Sequence, residues 1–223
     1  MNLVKSYDFF KPESVEDRIH IVGCGSVGSA IAELLVRSGL TKLTLWDFDV
    51  VEEKNIVNQL YTVSSVGKAK VDALKDILCS INPDVGQDIM LRPKGWNGEM
   101  LSGYIFLAVD NIDLRREIVK KHTRSCNVKG VFDFRTLLTS AHHYAADWSS
   151  EIQKTNLLKT MQYTHEEAAA DTPVSACGET LGVASTVRLI VALGVNNFLN
   201  FVKGQGIKTF VESDGFAFTL DAV

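Results

Sequence analysis

No Cys-x-x-Cys pair occurs in this sequence; its four cysteines stand apart at 24, 79, 126 and 177. A zinc site built from paired thiolates therefore has no support. There is no unbroken apolar run of membrane-spanning length. The most apolar stretch, 181–202, is interrupted by Arg188, Asn196 and Asn197 and reads as a buried helix. The first residues, Met1 to Asp8, lack the apolar centre of an export signal, which predicts a cytoplasmic chain with reduced thiols. Basic excess is absent too: the formal net charge of −4 argues against nucleic acid or an anionic membrane as the main partner. Repeats and low-complexity tracts are missing. What remains is 46% hydrophobic and 22% charged over 223 residues, the profile of one globular domain across 1–223.

The first half alternates strand and helix patterns. Ile19 to Val22 is a short β-branched run, and Val27, Ile31, Leu34 and Leu35 follow at helical spacing before Gly39 closes the helix. Leu43 to Trp46 reads as strand, Val66 to Leu78 as helix, Asp88 to Leu91 as a weak strand and Tyr104 to Val109 as a stronger one. Leu114 to Lys121 reads as helix and Val131 to Phe134 as strand. This order predicts an α/β, Rossmann-like fold with a mostly parallel sheet and helices on both faces, with ligands at the carboxyl ends of the strands. The second half predicts a C-terminal antiparallel extension. Leu137 to Ala145 reads as strand, 147–172 as a polar stretch that is part helix and part mobile, and Leu181 to Phe201 as a long helix. Two strands then flank the Asp214-Gly215 turn signal.

Gly23-Cys24-Gly25-Ser26-Val27-Gly28 is a G-x-G-x-x-G between a strand and a helix. Its glycines permit a tight turn, close approach of backbone to phosphate and close helix packing, and the helix start offers free N–H groups to an anion. Asp47 ends the second strand, at the spacing from which a carboxylate accepts hydrogen bonds from ribose hydroxyls. These features alone suit NAD and ATP equally.

The segment from Asp47 through Asn55 and Gln59, then Val66-Gly67-Lys68-Ala69-Lys70, Ile81-Asn82-Pro83 and Ala108-Val109-Asp110-Asn111 with Arg115, follows an ordered pattern. It resembles the ThiF/MoeB-like adenylyltransferases, which share the nucleotide domain of ubiquitin-activating enzymes, and the lack of zinc cysteines resembles a compact branch of that family. The resemblance implies ATP-dependent adenylation of the C-terminal carboxylate of a small ubiquitin-like or sulfur-carrier protein, with Mg²⁺, in a homodimer. It implies that Gly23, Gly25 and Gly28 line the phosphates, that Asp47 holds the ribose, and that Asn55 and Gln59 lie near the nucleotide. Lys70 would reach the phosphates and Asp110 would hold the metal and serve catalysis. A surface lysine and a helix N-cap are the plain alternatives for Lys70 and Asp110.

Two departures stand out. Asn58 occupies a position where the family usually has a phosphate-binding arginine, and an amide supplies neither the charge nor the fork. Arg135, at the end of the Val131-Phe132-Asp133-Phe134-Arg135 run, is a candidate replacement for phosphate or carboxylate binding, the alternative being an ordinary surface arginine. Cys177, just before the long helix, is a candidate thioester nucleophile or a packing cysteine. His122, His142, His143 and His165 form no ligand set and read as structural. Two other functions stay open: a catalytically degenerate nucleotide-binding scaffold paired with an active partner, and an NAD-dependent oxidoreductase.

Overall fold

The computed structural model describes residues 1–171, 174–176 and 181–223. Strand β1 (Ile19–Val22) is buried along its whole length, as expected of a central parallel strand. Helix α1 (Ser26–Arg37) follows and ends where Gly39 turns to a φ of 89°. There the Gly39 N–H donates to the Val36 carbonyl and the Leu40 N–H to the Leu35 carbonyl, both at 3.0 Å, which satisfies carbonyls the helix leaves free. The chain continues through β2 (Leu43–Trp46), two short 3₁₀ turns, α2 (Lys70–Ile81), β3 (Met90–Arg92), β4 (Gly103–Leu107), α3 (Ile112–His122) and β5 (Val128–Thr136). Then come β6 (Ser140–Asp147), α4 (Glu151–Lys159), α5 (His165–Asp171), α6 (Ala184–Val202), β7 (Phe210–Asp214) and β8 (Thr219–Ala222).

All eight strands join one sheet in the order β3-β2-β1-β4-β5-β6-β7-β8. Strands β1 to β5 pair in parallel, and β5 through β8 pair antiparallel. The strand order reverses between β1 and β4, so a crevice opens at their carboxyl ends. One face of the sheet packs Ile19, Ile21, Leu43, Leu45, Phe106, Phe132 and Phe134 against α1, α2 and α6. The other packs Val22, Trp46, Ile105, Leu107 and Val131 against α3 and α4. Alternate residues of each strand serve opposite faces, as the pleat requires.

The differences from the sequence reading are local. Helix α2 begins at Lys70 rather than Val66, because Val63–Ser65 forms a separate 3₁₀ turn capped by Thr62 and Ser65. Strand β4 stops at Leu107, and 108–110 form its outgoing loop. The hairpin between β7 and β8 turns over 215–218, with Asp214 Oδ1 accepting from the Phe216 and Ala217 N–H groups at 2.9 Å. Helix α6 is long and apolar enough to cross a membrane by length and composition, but half of that window is buried inside the fold.

Candidate nucleotide site

The three glycines of the loop between β1 and α1 have three distinct surroundings. Gly23 has a φ of 94°, and a Cβ there would lie 2.8 Å from the Ala108 carbonyl and the Val109 nitrogen. The loop therefore rests directly on the outgoing end of β4. Gly28 lies so close beneath the turn that a Cβ would sit 1.8 Å from the Gly23 oxygen. Gly25, the N-cap of α1, has open space where a Cβ would be, with nothing within 4 Å. No side chain caps α1 and its first turn carries no acid, which leaves the helix start open to an anion. This is a cradle that a methyl group would fill, and it fits a phosphate.

Asp47 comes to the loop from the adjacent strand, because Val22 of β1 pairs with Trp46 of β2. Its Oδ2 accepts from the Cys24 N–H at 2.6 Å and its Oδ1 from the Asp49 N–H at 2.8 Å. A carboxylate has about four lone-pair sites, so acceptor capacity remains for ribose hydroxyls. Cys24 itself is fully buried. Burial, with Asp47 beside it, pushes its thiol well above the ordinary range, which makes it an inert spacer.

Lys70, the first residue of α2, is 7% exposed, and its Nζ donates to Asp49 Oδ2 at 2.8 Å. It is therefore not a surface lysine. Tyr61, also buried, places its hydroxyl 2.7 Å from the Cys24 carbonyl and 3.2 Å from the Lys70 carbonyl, fastening the glycine loop to the start of α2. Burial pushes that phenol far above its ordinary value, so it stays a donor. Tyr61 and Asp49 carry no sequence signal of these roles; the antiparallel bridge between Val50 and Ala69 is what brings Asp49 to Lys70. Asn55 Oδ1 accepts from the Glu52 N–H at 2.8 Å and closes a capping box on its 3₁₀ turn, so this side chain shapes the loop. Gln59 Oε1 is buried and has no hydrogen-bond partner, an orphan acceptor of the kind a bound ligand satisfies. Asn58 packs against the segment ahead of α6: a Cβ on Gly182 would lie 2.9 Å from Asn58 Nδ2.

Asp110 follows β4 and is exposed. The N-cap of α3 is Asn111, whose Oδ1 accepts from the Leu114 N–H at 3.0 Å, so Asp110 is not spent on capping. The Val109 carbonyl just before it is gripped by Arg115, with Nε at 2.7 Å and Nη2 also in contact. Mg²⁺ commonly takes one or two carboxylates plus phosphate oxygens, and a single exposed aspartate beside a phosphate cradle suits that pattern. Among the described residues no group of three or more His, Cys, Asp or Glu converges as a protein-only metal cage.

Arg135 corrects the sequence reading. It faces the α3 and α4 side of the sheet, and its guanidinium is committed to protein partners. Nε donates to Asp133 Oδ2 at 2.8 Å, Nη1 to the Thr160 carbonyl at 2.8 Å and the Tyr163 hydroxyl at 3.2 Å, and Nη2 to Thr160 Oγ1 at 2.8 Å. The group also stacks over the Tyr144 ring at 4.4 Å. Every N–H of the guanidinium thus has an acceptor within the protein. Cys177 lies outside the described residues. His142 and His143 point to opposite sides of β6, as expected: His142 reaches Glu212 at 3.2 Å, while buried His143 is held by the Asp133 carbonyl and Asn197. Burial depresses His143 to about 4, so it is neutral.

Residues 13–221 match the ThiF family. Ubiquitin-like modifier-activating enzyme 5 of Caenorhabditis briggsae is 33% identical over 133 residues, which span 53% of this chain and 30% of the relative. The Caenorhabditis elegans enzyme of that name is 40% identical over 85 residues, 38% of this chain and 19% of the relative. The chain thus spans less than a third of the length of these relatives. In overall fold it is similar to PaaA (TM-score 0.69, 16% identity, 99% of this chain and 68% of that one). It is also similar to E. coli MccB with ATP (TM-score 0.70, 14% identity, 95% and 65%). Both are ThiF-like Rossmann folds. With the glycine loop, Asp47 and the Asp110 loop at the carboxyl ends of neighbouring strands, and the family match running almost end to end, the chain belongs to the ThiF family.

Proposed function

We propose that the chain adenylates the C-terminal carboxylate of a small ubiquitin-like or sulfur-carrier protein with ATP and Mg²⁺, acting as a homodimer in the cytoplasm. The observation that carries this is the buried Lys70, tied through Tyr61 to a glycine loop whose centre is open. Gly23, Gly25 and Gly28 receive the phosphates, Asp47 the ribose, and Asn55 and Gln59 border the nucleotide. The carrier carboxylate attacks the α-phosphorus, the bond to the bridging oxygen breaks, and pyrophosphate leaves. Lys70 offsets the charge that builds on the phosphate oxygens, and the free N–H groups of α1 do the same by donation. Asp110 holds the metal, which supplies further charge neutralisation when bound. A thioester on Cys177 follows, with the thiolate displacing AMP.

The test is ATP–pyrophosphate exchange with candidate β-grasp proteins. Exchange that requires the carrier and is lost in Lys70→Ala and Asp110→Asn is the expected result. An ATP-dependent, thiol-sensitive carrier adduct that disappears in Cys177→Ser is required for the second step. A second reading rests on a separate observation: Asn58 carries no charge, and Arg135 has no donor to lend. In it the chain is a nucleotide-binding scaffold for an active partner. Absence of exchange with every carrier, alongside tight ATP binding and tight binding to that partner, would establish it.

A further inference from the structure

Asp133 is completely buried in β5, with an arginine on each side. Burial by itself would raise its pKa, but Arg115 and Arg135 together hold it below the ordinary carboxylate range. Its Oδ1 takes Arg115 Nη1, and its Oδ2 takes Arg135 Nε at 2.8 Å and Nη2 at 2.7 Å. Each arginine continues outward. Arg115 uses its other edge to grip the Val109 carbonyl, the peptide that presents Asp110, and also donates to the Phe134 carbonyl at 2.6 Å. Arg135 grips Thr160 and Tyr163 in the turn between α4 and α5. The adjacent Arg116 pins the same turn by the Met161 and Tyr163 carbonyls at 2.7 and 2.8 Å.

We propose that Asp133 is a positioning residue that joins the Asp110 loop and the α4–α5 turn into one mechanical unit, so that displacement of that turn changes where Asp110 stands. The inference rests on the adenylation reading for its consequence, but not for the coupling itself. The physical reason is the low tolerance of a buried carboxylate for losing a partner. If Arg135 is withdrawn, Oδ2 is left with no donor in a fully enclosed site. The nearest relief is a shift of Arg115, whose Nη1 is already shared between Asp133 and the Phe134 carbonyl. Any such shift loosens the grip on Val109. Bonds within one strand–helix pair would stop at Asp133; this set runs from residue 109 to residue 163.

Amide hydrogen exchange on the free chain tests the coupling, using Asp133→Asn and Arg135→Met. The second keeps the apolar stem and removes the fork, and it carries the test if the first does not fold. In Arg135→Met, exchange should rise about tenfold both at 160–163 and at 109–111, with β1 and α1 unchanged. A rise at 160–163 with wild-type exchange at 109–111 overturns the proposal. In ATP–pyrophosphate exchange, the Mg²⁺ concentration for half-activity should rise about tenfold while the ATP dependence at saturating Mg²⁺ holds. An unchanged Mg²⁺ dependence refutes the link to Asp110. A wild-type chain with no exchange at all refutes the adenylation reading and leaves the amide result to judge the coupling.

Discussion

Replacing Gly25 with alanine adds one methyl group where nothing lies within 4 Å, on a residue whose φ of −75° is ordinary but whose ψ of −148° lies outside the regions side chains favour. The fold should survive, with some backbone strain added to the change of cap. Alanine is a poorer N-cap than glycine, a cost of about 0.5–1 kcal/mol, or roughly 1–4 °C of Tm in a chain of this size. The same methyl occupies the space in which a phosphate would approach the backbone, so ATP affinity should fall at least about tenfold, equivalent to about 1.4 kcal/mol. Gly28→Ala is the contrasting perturbation. Its Cβ would lie 1.8 Å from the Gly23 oxygen, a backbone atom that can move only by rebuilding the turn. Forced overpacking of this sort costs about 1–3 kcal/mol or more, so Tm should drop by roughly 3–10 °C. Calorimetric ATP titration and a thermal scan on both variants give the four numbers. If Gly25→Ala binds ATP as tightly as the wild type, the triphosphate does not lie over this loop and the reasoning fails.

Tyr61→Phe should lower stability by about 1–2 kcal/mol, because the Cys24 carbonyl loses its buried donor; a thermal scan reads it, and an unchanged Tm would mean that the bond is not made in solution. Stability should also depend on pH through His20 and His143, both depressed to about 4, mainly by burial. Between about pH 4 and the ordinary value of 6.5 the unfolded chain binds the more protons, so stability present above pH 6.5 is lost as the pH falls. The loss is about 2 kcal/mol per histidine at pH 5. Denaturation at pH 7 and pH 5 checks it, and a stability independent of pH over that range contradicts neutral burial of the two rings.

Local periodicity and glycine chemistry were readable without coordinates. The runs at 19–22 and 43–46 became β1 and β2 with the expected ends, and Gly39 closed α1 because its backbone adopts a left-handed conformation that side chains resist. That Gly23, Asp47 and Asp110 follow neighbouring parallel strands was legible for the same kind of reason, since such strands put their carboxyl ends on one side of the sheet. Boundaries set by side-chain bonding were not. Asn111 rather than Asp110 caps α3, and Thr62 with Ser65 delays α2 to Lys70.

By itself the sequence determined where strands and helices fall along the chain, the glycine turn and the family pattern, since these depend on the period of apolar residues and on where glycine is required. Only the tertiary structure decided what Arg135 does. Its partners come from positions 133, 144, 160 and 163, brought together when α4 packs on the sheet, and a guanidinium bonds whichever acceptors the finished fold puts within reach. The pairing of Lys70 with Asp49 and the grip of Tyr61 on the loop belong to the same class, because hydrogen bonds between distant residues leave no periodic trace in the chain that makes them.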